Sequence, residues 1–228
     1  MKKAVVLLSG GLDSTVTIAV AISAGLEVIP LTINYGQRHM RELRAAKEVV
    51  KFYNLENHVI IDLDLTVFKT SALTSPDFDV PEGTGDDLSG TMIPVTYVPS
   101  RNIIFLGIAA GLCESESAEK IFIGANSIDY SGYPDCRPEF LEAFQKTLEV
   151  GTKAGIEGRP LSIEAPLLYL TKADIVGLGK RLGAPLHLTW SCYKGGVKAC
   201  GRCDSCLLRL RGFREAGYED EIAYEVRS

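Results

Sequence analysis

The sequence predicts an α/β fold in which helices cover both faces of a parallel, doubly wound sheet. Short apolar runs alternate with longer amphipathic runs along the chain. The first apolar run, residues 4–8, leads through two glycines directly into a helix-like run. Hydrophobic residues make up 46% of the 228 residues, which is enough for one full α/β core. In such a fold, ligands bind at the carboxyl ends of the strands.

The first βα unit carries the sequence SGGLDS at 9–14, between a strand at 4–8 and a helix at 15–24. The glycines let the backbone approach closely, and the helix N-terminus adds positive potential, so this turn predicts an anion site. A P-loop is excluded because no lysine follows the glycines. SGGLDS instead resembles the PP-loop of the N-type ATP pyrophosphatases. That resemblance implies that the loop holds the β,γ-diphosphate of ATP while a substrate oxygen attacks the α-phosphorus.

The next two strands are predicted at 26–33 and 58–62. Between them, residues 37–53 predict an amphipathic helix, because apolar residues recur at helical spacing and most basic residues lie on the other side. After a long interval, Asn102 is predicted to cap a helix over 103–113.

The second half continues the alternation, with strands predicted at 120–124 and 161–165. A proline opens the run 138–150, which suits the first turn of a helix, where a backbone N–H is not needed. The residues TKAD at 171–174 resemble a capping box that opens a helix ending at Gly183.

The segment 70–96 breaks this rhythm, because it is rich in Gly, Pro, Ser and acidic residues and has no apolar period. A structureless stretch of this length within a compact domain is usually functional or mobile. We consider a mobile lid over the nucleotide site, with surface disorder over 76–90 as the alternative.

Composition and charge narrow the class of protein. A net charge of −5 gives no overall electrostatic footprint for nucleic acid. No apolar run reaches the roughly 18 residues of a membrane span, and residues 1–3 lead straight into a strand without a signal peptide. We therefore expect a cytoplasmic enzyme that binds neither nucleic acid nor a membrane.

Four of the six cysteines lie in one short segment, which favours a metal site over disulfides. They are Cys192, Cys200, Cys203 and Cys206. We predict one Zn²⁺ per chain, because the fourth cysteine lies upstream and a helix-like run at 207–215 follows. A [4Fe–4S] cluster is the alternative. Four thiolates leave no open coordination position, so the predicted role is structural. Cys113 is predicted to be a core residue.

The loop DYSGYPDCR at 129–137 follows the strand at 120–124 and is expected at the carboxyl edge of the sheet. Its aromatic rings can stack on a planar heterocycle, its carboxylates can accept N–H donors, and its arginine can grip a carboxylate. Taken alone, the loop is also compatible with a rigid surface turn.

Four motifs together resemble the QueC family of 7-cyano-7-deazaguanine synthases. They are SGGLDS at 9–14, YVPSRN at 97–102, DYSGYPDCR at 129–137 and SCY…CGRCDSC at 191–206. The resemblance implies an adenine nucleotide alpha hydrolase-like, Rossmann-like domain with a zinc ion, and usually a homodimer. It also implies a ligase that converts 7-carboxy-7-deazaguanine, ammonia and ATP to the nitrile preQ0, through an acyl-adenylate, an amide and its dehydration. No second domain that would hydrolyse glutamine is evident, so free ammonia is the expected nitrogen donor.

The resemblance and the residue chemistry assign roles at the predicted nucleotide site. For catalysis and neutralisation of phosphate charge we expect Ser9, Asp13, Ser14, Arg101 and Lys172. For Arg101 and Lys172, an exposed salt bridge is the alternative. ATP with its Mg²⁺ is expected to contact Leu8, Ser9, Gly10, Gly11, Leu12, Asp13, Ser14, Thr15, Thr32, Asn34 and Tyr35.

The deazaguanine is expected to contact Asp129, Tyr130, Tyr133, Asp135 and Arg137. In this arrangement Asp135 or Asp129 accepts the guanine-like N–H donors, the Tyr133 ring packs on the heterocycle, and Arg137 orients the 7-carboxylate. Outside both sets, His39 is expected at the surface rather than as a general base. His58 and His187 are expected to be structural.

These assignments divide the chain into an ATP-binding α/β domain at 1–187 and a zinc-binding segment with a helix at 188–228. Two other functions stay open. In a PP-loop enzyme that thiolates tRNA, Cys136 would be a catalytic thiol and the cysteine cluster an Fe–S site. In a zinc-ribbon binding module, the cysteine segment would be the functional surface, which leaves the nucleotide-site pattern unexplained.

Overall fold

A computed structural model describes residues 2–83, 93–128 and 132–227. Within them, five parallel strands form one sheet in the order β3-β2-β1-β4-β5. The strands are β1 Lys3–Leu7, β2 Glu27–Asn34, β3 Val59–Asp62, β4 Lys120–Phe122 and β5 Ser162–Glu164. Each predicted strand is present within two residues of its expected bounds, which confirms the predicted doubly wound α/β fold.

Helices connect the strands. They are α1 Leu12–Ser23, α2 Arg41–Phe52, α3 Arg101–Glu116, α4 Pro138–Gly151, α5 Lys153–Ile156, α6 Lys172–Arg181 and α7 Asp204–Glu215. The predicted proline start of α4 and the predicted capping box of α6 are both confirmed, the latter with reciprocal bonds between Thr171 and Asp174. Helix α2 begins four residues later than predicted.

The two faces of the sheet bury different helices, as the alternation of side chains along a strand requires. Val5 and Leu7 of β1 join one core cluster, which α3 and α4 cover. Ala4 and Val6 point to the other face and join a cluster with α1 and α2. Because both faces are covered, the central strands β1 and β2 are buried along nearly their whole length rather than on alternate residues only.

The strand order reverses between β1 and β4, since β1 pairs with β2 on one side and with β4 on the other. The connections from these two strands leave toward opposite faces of the sheet, which opens a crevice at their carboxyl ends. The loop at 9–14 follows β1 and therefore lies at this crevice.

The predicted cap of α3 is wrong. The helix begins at Arg101, and its N-cap residue Ser100 has a φ of +56° and no capping side-chain bond. Asn102 lies within the first turn, where its amide donates to the carbonyl oxygen of Asp135 at 2.9 Å and to the Sγ atom of Cys136 at 3.3 Å. The side chain therefore fastens the 132–137 loop instead of capping its own helix.

The segment predicted as a loop over 70–96 is partly packed. Residues 71–75 are buried, and Leu73 belongs to the main core, so this part is not a surface loop. Residue Val80 packs among the cysteines of the C-terminal segment. Residues 84–92 lie outside the described residues, and the proposed lid over the nucleotide site remains a prediction.

The C-terminal segment packs directly against the first loop. The backbone N–H of Trp190 donates to the carbonyl oxygen of Gly10 at 2.9 Å. The boundary predicted between residues 187 and 188 remains a prediction. Among the helices of the described residues, none combines the length and the apolar content that crossing a membrane requires.

Candidate functional site

The loop at 9–14 has the backbone of an anion site. Gly10 has a φ of +86°, and a Cβ atom there would lie 2.2 Å from the carbonyl oxygen of Glu42 and 2.5 Å from the nitrogen of Ala46. Only glycine fits, because the loop rests directly on the backbone of α2. Gly11 is the N-cap of α1 and makes no capping side-chain bond. The first N–H groups of α1 are therefore available to an anion.

The loop carries the hydroxyl groups of Ser9 and Ser14. The Oγ atoms of Ser9 and Ser14 lie 3.0 Å apart, and the N–H of Gly11 donates to the Ser9 Oγ atom at 3.2 Å. The Ser14 hydroxyl donates to the carbonyl oxygen of Gly11 at 3.1 Å. The loop thus brings hydroxyls and a helix N-terminus to one place, as the sequence predicts.

An ion pair lies beside the loop. The Nζ atom of Lys172 is 2.8 Å from each carboxylate oxygen of Asp13. Lys172, at the start of α6, is only 4% exposed, whereas Asp13, in the first turn of α1, is 20% exposed. The alternative of an exposed salt bridge is wrong for Lys172. The pair places one positively and one negatively charged side chain at the crevice.

These groups share one cavity of about 240 Å³. Of the residues predicted at the nucleotide and substrate sites, those that line it are Leu8, Ser9, Gly11, Leu12, Asp13, Ser14, Thr32, Tyr35, Arg101, Tyr133 and Lys172. The structure therefore brings residues from β1, β2, α3, α6 and the 132–137 loop to one crevice, although they are far apart in sequence.

Three residues predicted to contact ATP do not line the cavity. Gly10 lies against α2. The Thr15 side chain is fully buried, and its hydroxyl has no partner within the described part of the chain. The amide of Asn34 donates to Asp62 at 2.7 Å instead. Direct contact of these three residues with ATP remains a prediction.

The 132–137 loop contributes an aromatic ring to the cavity rather than its charged groups. Tyr133 lines the cavity, and its hydroxyl lies 2.6 Å from the Thr96 hydroxyl. Burial raises the pKa of Tyr133, so the group is a neutral phenol. Asp135 is 3% exposed, and its Oδ2 atom accepts the backbone N–H of Asn102 at 3.0 Å. Arg137 is exposed.

The predicted contacts of Asp135 and Arg137 with the substrate remain predictions. Neither residue lines the cavity. The Asp135 carboxylate is directed at the N-terminus of α3, where a negative charge is favourable. Asp129 and Tyr130, the other two predicted substrate contacts, lie outside the described residues.

Sequence reasoning did not select several residues of the cavity wall. They include Gln37, Glu42, Phe105, Tyr193, Ser205 and Arg209. Tyr193 and Ser205 lie within the cysteine motif and the other four lie outside the motifs, but only the tertiary structure places all six beside the loop at 9–14. Arg101 lies with its guanidinium carbon 5.9 Å from the centre of the Tyr35 ring. Burial raises the pKa of Tyr35 to about 12.

Arg209 anchors the wall between the cavity and the C-terminal segment. It is 2% exposed and donates to both oxygens of Asp220, at 2.7 and 3.0 Å. It also donates to the Thr189 hydroxyl at 2.6 Å and to the Leu186 carbonyl oxygen at 3.1 Å. These bonds hold the chain just before Trp190, whose backbone contacts the first loop.

The four predicted cysteine ligands form one cluster. The sulfur atoms of Cys192, Cys200, Cys203 and Cys206 all lie within 4.8 Å of one another. A tetrahedral Zn²⁺ with Zn–S bonds of about 2.3 Å places sulfurs roughly 3.8 Å apart. The Sγ atoms of Cys200 and Cys206 are 3.8 Å apart. A [4Fe–4S] cube binds each thiolate through a different iron, which requires wider spacing, so the geometry fits a single ion better.

Backbone groups support the same cluster. The N–H groups of Arg202 and Cys203 donate to the Cys200 sulfur at 3.4 and 3.3 Å, and the N–H of Cys200 donates to the Cys192 sulfur at 3.3 Å. Such bonds favour the thiolate form that a metal requires. The cluster is buried, which fits a structural role for the ion.

The three histidines contribute no group to the cavity. His39 is half-buried against Gly195, where a Cβ atom would lie 2.3 Å from its ring, so it is less exposed than the prediction of a surface position implies. Burial lowers the pKa of His39. His58 lies with its Nε2 atom 2.8 Å from the Thr32 hydroxyl, which agrees with a structural role. His187 is exposed.

A family profile described as "Queuosine biosynthesis protein QueC" matches residues 3–217. The "7-cyano-7-deazaguanine synthase 2" of Desulfitobacterium hafniense is 58% identical over 224 residues, which cover 98% of this chain and 94% of that protein. The "7-cyano-7-deazaguanine synthase" of Acetivibrio thermocellus is 55% identical over 228 residues, which cover all of both proteins.

Among solved structures, the NMN synthetase from Francisella tularensis superposes with a TM-score of 0.50 at 16% identity. The match covers 96% of this chain and 78% of that chain, and it shows the fold alone. The names of the curated relatives confirm the prediction of a ligase-type synthase. Because the family profile spans nearly the whole chain and full-length relatives share more than half of its residues, the chain belongs to the QueC family of queuosine biosynthesis proteins.

Proposed function

We propose that this enzyme converts 7-carboxy-7-deazaguanine and ammonia to 7-cyano-7-deazaguanine at the expense of ATP. The observation that carries the proposal is the joint position of the loop at 9–14 and the Asp13–Lys172 pair in one cavity. A carboxylate is a poor electrophile, so one of its oxygens must become a leaving group. Transfer of the adenylyl group of ATP to that oxygen achieves this.

The phosphate chain of ATP is bound by the first loop. The N–H groups at the start of α1 and the hydroxyls of Ser9 and Ser14 accommodate the β- and γ-phosphates. The ammonium group of Lys172 and the guanidinium of Arg101 stabilise the charge that develops at the α-phosphorus. The carboxylate oxygen of the acid attacks that phosphorus and pyrophosphate leaves.

The Asp13 carboxylate fits a Mg²⁺ ion bound together with ATP. Mg²⁺ is usually held by one or two carboxylates plus substrate phosphates. Each Asp13 oxygen accepts one bond from Lys172 and retains a second lone pair for another partner. When bound, the ion supplies positive charge to the phosphates, and Lys172 keeps the carboxylate in place.

The deazaguanine occupies the aromatic part of the cavity. The rings of Tyr35, Phe105 and Tyr133 line this part, and they suit a planar heterocycle. Arg101 lies among them and is suited to hold the 7-carboxylate toward ATP. Asp135 or Asp129 remains our candidate for accepting the guanine-like N–H donors, on the family resemblance. The Oδ2 atom of Asp135 accepts the N–H of Asn102, whereas its buried Oδ1 atom has no hydrogen-bond partner within the described residues.

Ammonia then displaces AMP from the acyl-adenylate and leaves an amide. The amide oxygen is activated by a second ATP in the same way, and loss of that oxygen with two N–H protons gives the nitrile. The cavity carries one set of phosphate-binding groups, so the two activations occur in succession at the same place.

The remaining parts of the proposal concern cofactor and assembly. The cluster of four cysteines holds one structural Zn²⁺, in agreement with its burial and sulfur spacing. A homodimer is proposed on the family resemblance. A cytoplasmic location suits the six free cysteines, which a reducing compartment preserves.

Thiolation of tRNA is not favoured. Cys136, the candidate nucleophile for that reaction, is buried, and burial raises the pKa of its thiol to about 11. A thiol with this pKa is a poor nucleophile at neutral pH, since the thiolate is the reactive form. The amide of Asn102 donates to the sulfur of Cys136 at 3.3 Å and ties it to the loop.

Labelled oxygen tests the proposed activation. With ¹⁸O in the 7-carboxylate of the acid, mass spectrometry should find label in AMP, because the carboxylate oxygen bonds to the α-phosphorus. Label in inorganic phosphate together with ADP would contradict adenylation. Unlabelled acid in ¹⁸O water serves as the control, since it should leave the AMP formed by adenylation unlabelled.

A further inference from the structure

Glu42 places a carboxylate at the cavity, and this carboxylate takes no part in the steps proposed above. It is the second residue of α2 and lines the same cavity as Asp13, Arg101 and Lys172. Its backbone is held firmly, because its carbonyl oxygen packs against Gly10 of the first loop. Its distance in sequence from every motif explains why the sequence alone gave no reason to select it.

The two carboxylates among the described lining residues differ in availability. Both oxygens of Asp13 accept bonds from Lys172. Within the described residues, the Glu42 side chain forms neither a hydrogen bond nor an ion pair, and the groups that act on it are the guanidinium of Arg101 and the sulfur of Cys192. Tyr35 is a further neighbour, since the charge of Glu42 acts on its hydroxyl. Of the two, Glu42 is thus the carboxylate that has no bond to another side chain within the described residues.

The protonation state of Glu42 suits proton transfer. Burial raises the pKa of Glu42 above its ordinary value, against the guanidinium of Arg101, which lowers it. A general base works best when its pKa lies near the working pH. The other groups of the wall are less suitable, because burial raises the pKa of Tyr35 to about 12 and that of the Cys136 thiol to about 11.

We propose that Glu42 is the general base that takes the proton from the attacking nitrogen. When ammonia adds to the acyl carbon of the adenylate, the nitrogen becomes positively charged and must lose one proton before AMP departs. The Glu42 carboxylate accepts that proton and releases it to solvent through the mouth of the cavity. The C–N bond forms, the acyl C–O bond to AMP breaks, and the products are the amide, AMP and one proton. This inference rests on the proposed function.

The test separates acid activation from nitrogen attack. Acid-dependent exchange between ATP and labelled pyrophosphate reports activation, and amide formed from the acid and ammonia reports both steps. In Glu42→Gln, amide formation should fall roughly 10²-fold or more while exchange persists. Glu42→Asp should recover part of the loss. Glu48→Gln, which changes an exposed carboxylate on the same helix, is the matched control and should behave like the parent enzyme.

Hydroxylamine sharpens the test, because it is a stronger nucleophile that is largely unprotonated at neutral pH. Trapping of the acyl-adenylate as the hydroxamate should be much less affected by Glu42→Gln than amide formation. Equal losses in exchange, trapping and amide formation would overturn the proposal and give Glu42 a binding or structural role. Unchanged amide formation would overturn it as well. If instead the parent enzyme lacked acid-dependent exchange, the proposed function itself would fail.

Discussion

Two loops border the cavity, and each holds an aspartate in a different way. In the loop after β1, Asp13 is partly exposed to the cavity and pairs with Lys172 of a distant helix. In the 132–137 loop, Asp135 turns inward and accepts the N–H of Asn102 at the start of α3. The first carboxylate remains within reach of a ligand, whereas the second is used to fix its own loop.

The difference shows that a carboxylate in a loop beside the cavity can serve to fix the loop rather than line the cavity. Asp135 holds the backbone in the position that brings the Tyr133 ring into the cavity. Replacing Asp13 should therefore affect chemistry more than folding, and replacing Asp135 should do the reverse. Four experiments test this contrast.

The largest effect is expected at Asp13. Asp13→Asn removes the partner of Lys172 and the proposed Mg²⁺ ligand, so kcat/KM should fall by roughly 10³-fold, as for loss of a main electrostatic group. Product formation by chromatography measures it, with thermal melting as a check on folding. Lys180→Met is the control and should retain activity. Lys180 lies on the same helix as Lys172, and its replacement breaks a surface ion pair with Glu221. Near-normal turnover of Asp13→Asn would remove the loop from the phosphate site.

The second largest effect is expected at the cysteine cluster. The C-terminal segment that carries the cluster also contacts the first loop. Cys203→Ser should abolish stoichiometric zinc and lower the melting temperature, since metal binding contributes several kcal/mol or more to folding. Activity should fall too, because Trp190 bonds to Gly10. Metal analysis and calorimetry measure these changes, and Cys113→Ala, in the core of α3, should keep its zinc. Loss of metal without a change in melting would show that the site is not structural.

A moderate effect is expected at Asp135. Asp135→Asn removes a negative charge from the N-terminus of α3 and weakens a buried bond, so the free energy of unfolding should fall by roughly 1–3 kcal/mol. Denaturant unfolding measures this, and Asp62→Asn, at an exposed bond to Asn34, should change stability far less. KM for the acid should rise while affinity for ATP is retained. A stable protein with a large loss of kcat would instead place Asp135 in the chemistry.

The smallest effect is expected at Tyr133. Tyr133→Phe keeps the ring in the cavity and removes only the bond to the Thr96 hydroxyl, so stability should fall by about 1 kcal/mol. KM for the acid should change only a few-fold, because the proposed contact is made by the ring face. Steady-state kinetics with varied acid tests this. If Tyr133→Phe raised the KM for the acid as much as Tyr133→Ala does, the hydroxyl rather than the ring would be the group that recognises the acid.

The sequence by itself determined the parts of the protein that depend on local chemistry. The strand, glycine turn and helix around 9–14 follow from neighbouring residues, as do the capping box at Thr171 and the alternation that leads to a parallel sheet. The cysteine cluster also follows, because three of its members are separated by only two intervening residues and can meet around one turn. For these features, the interacting groups are close in the chain.

Only the tertiary structure decided which groups share the cavity. Lys172 reaches Asp13 across 159 positions, and Asn102 leaves its expected capping role to bind a loop that lies more than 30 residues away. Glu42 lines the cavity because α2 packs its backbone against Gly10. Local sequence patterns do not predict such contacts. The residues that bury these side chains, or that place a charge beside them, belong to segments that come together only in the folded protein. The same holds for Asp135. Its carboxylate accepts an N–H at the N-terminus of α3 because the folded chain places that helix end beside it.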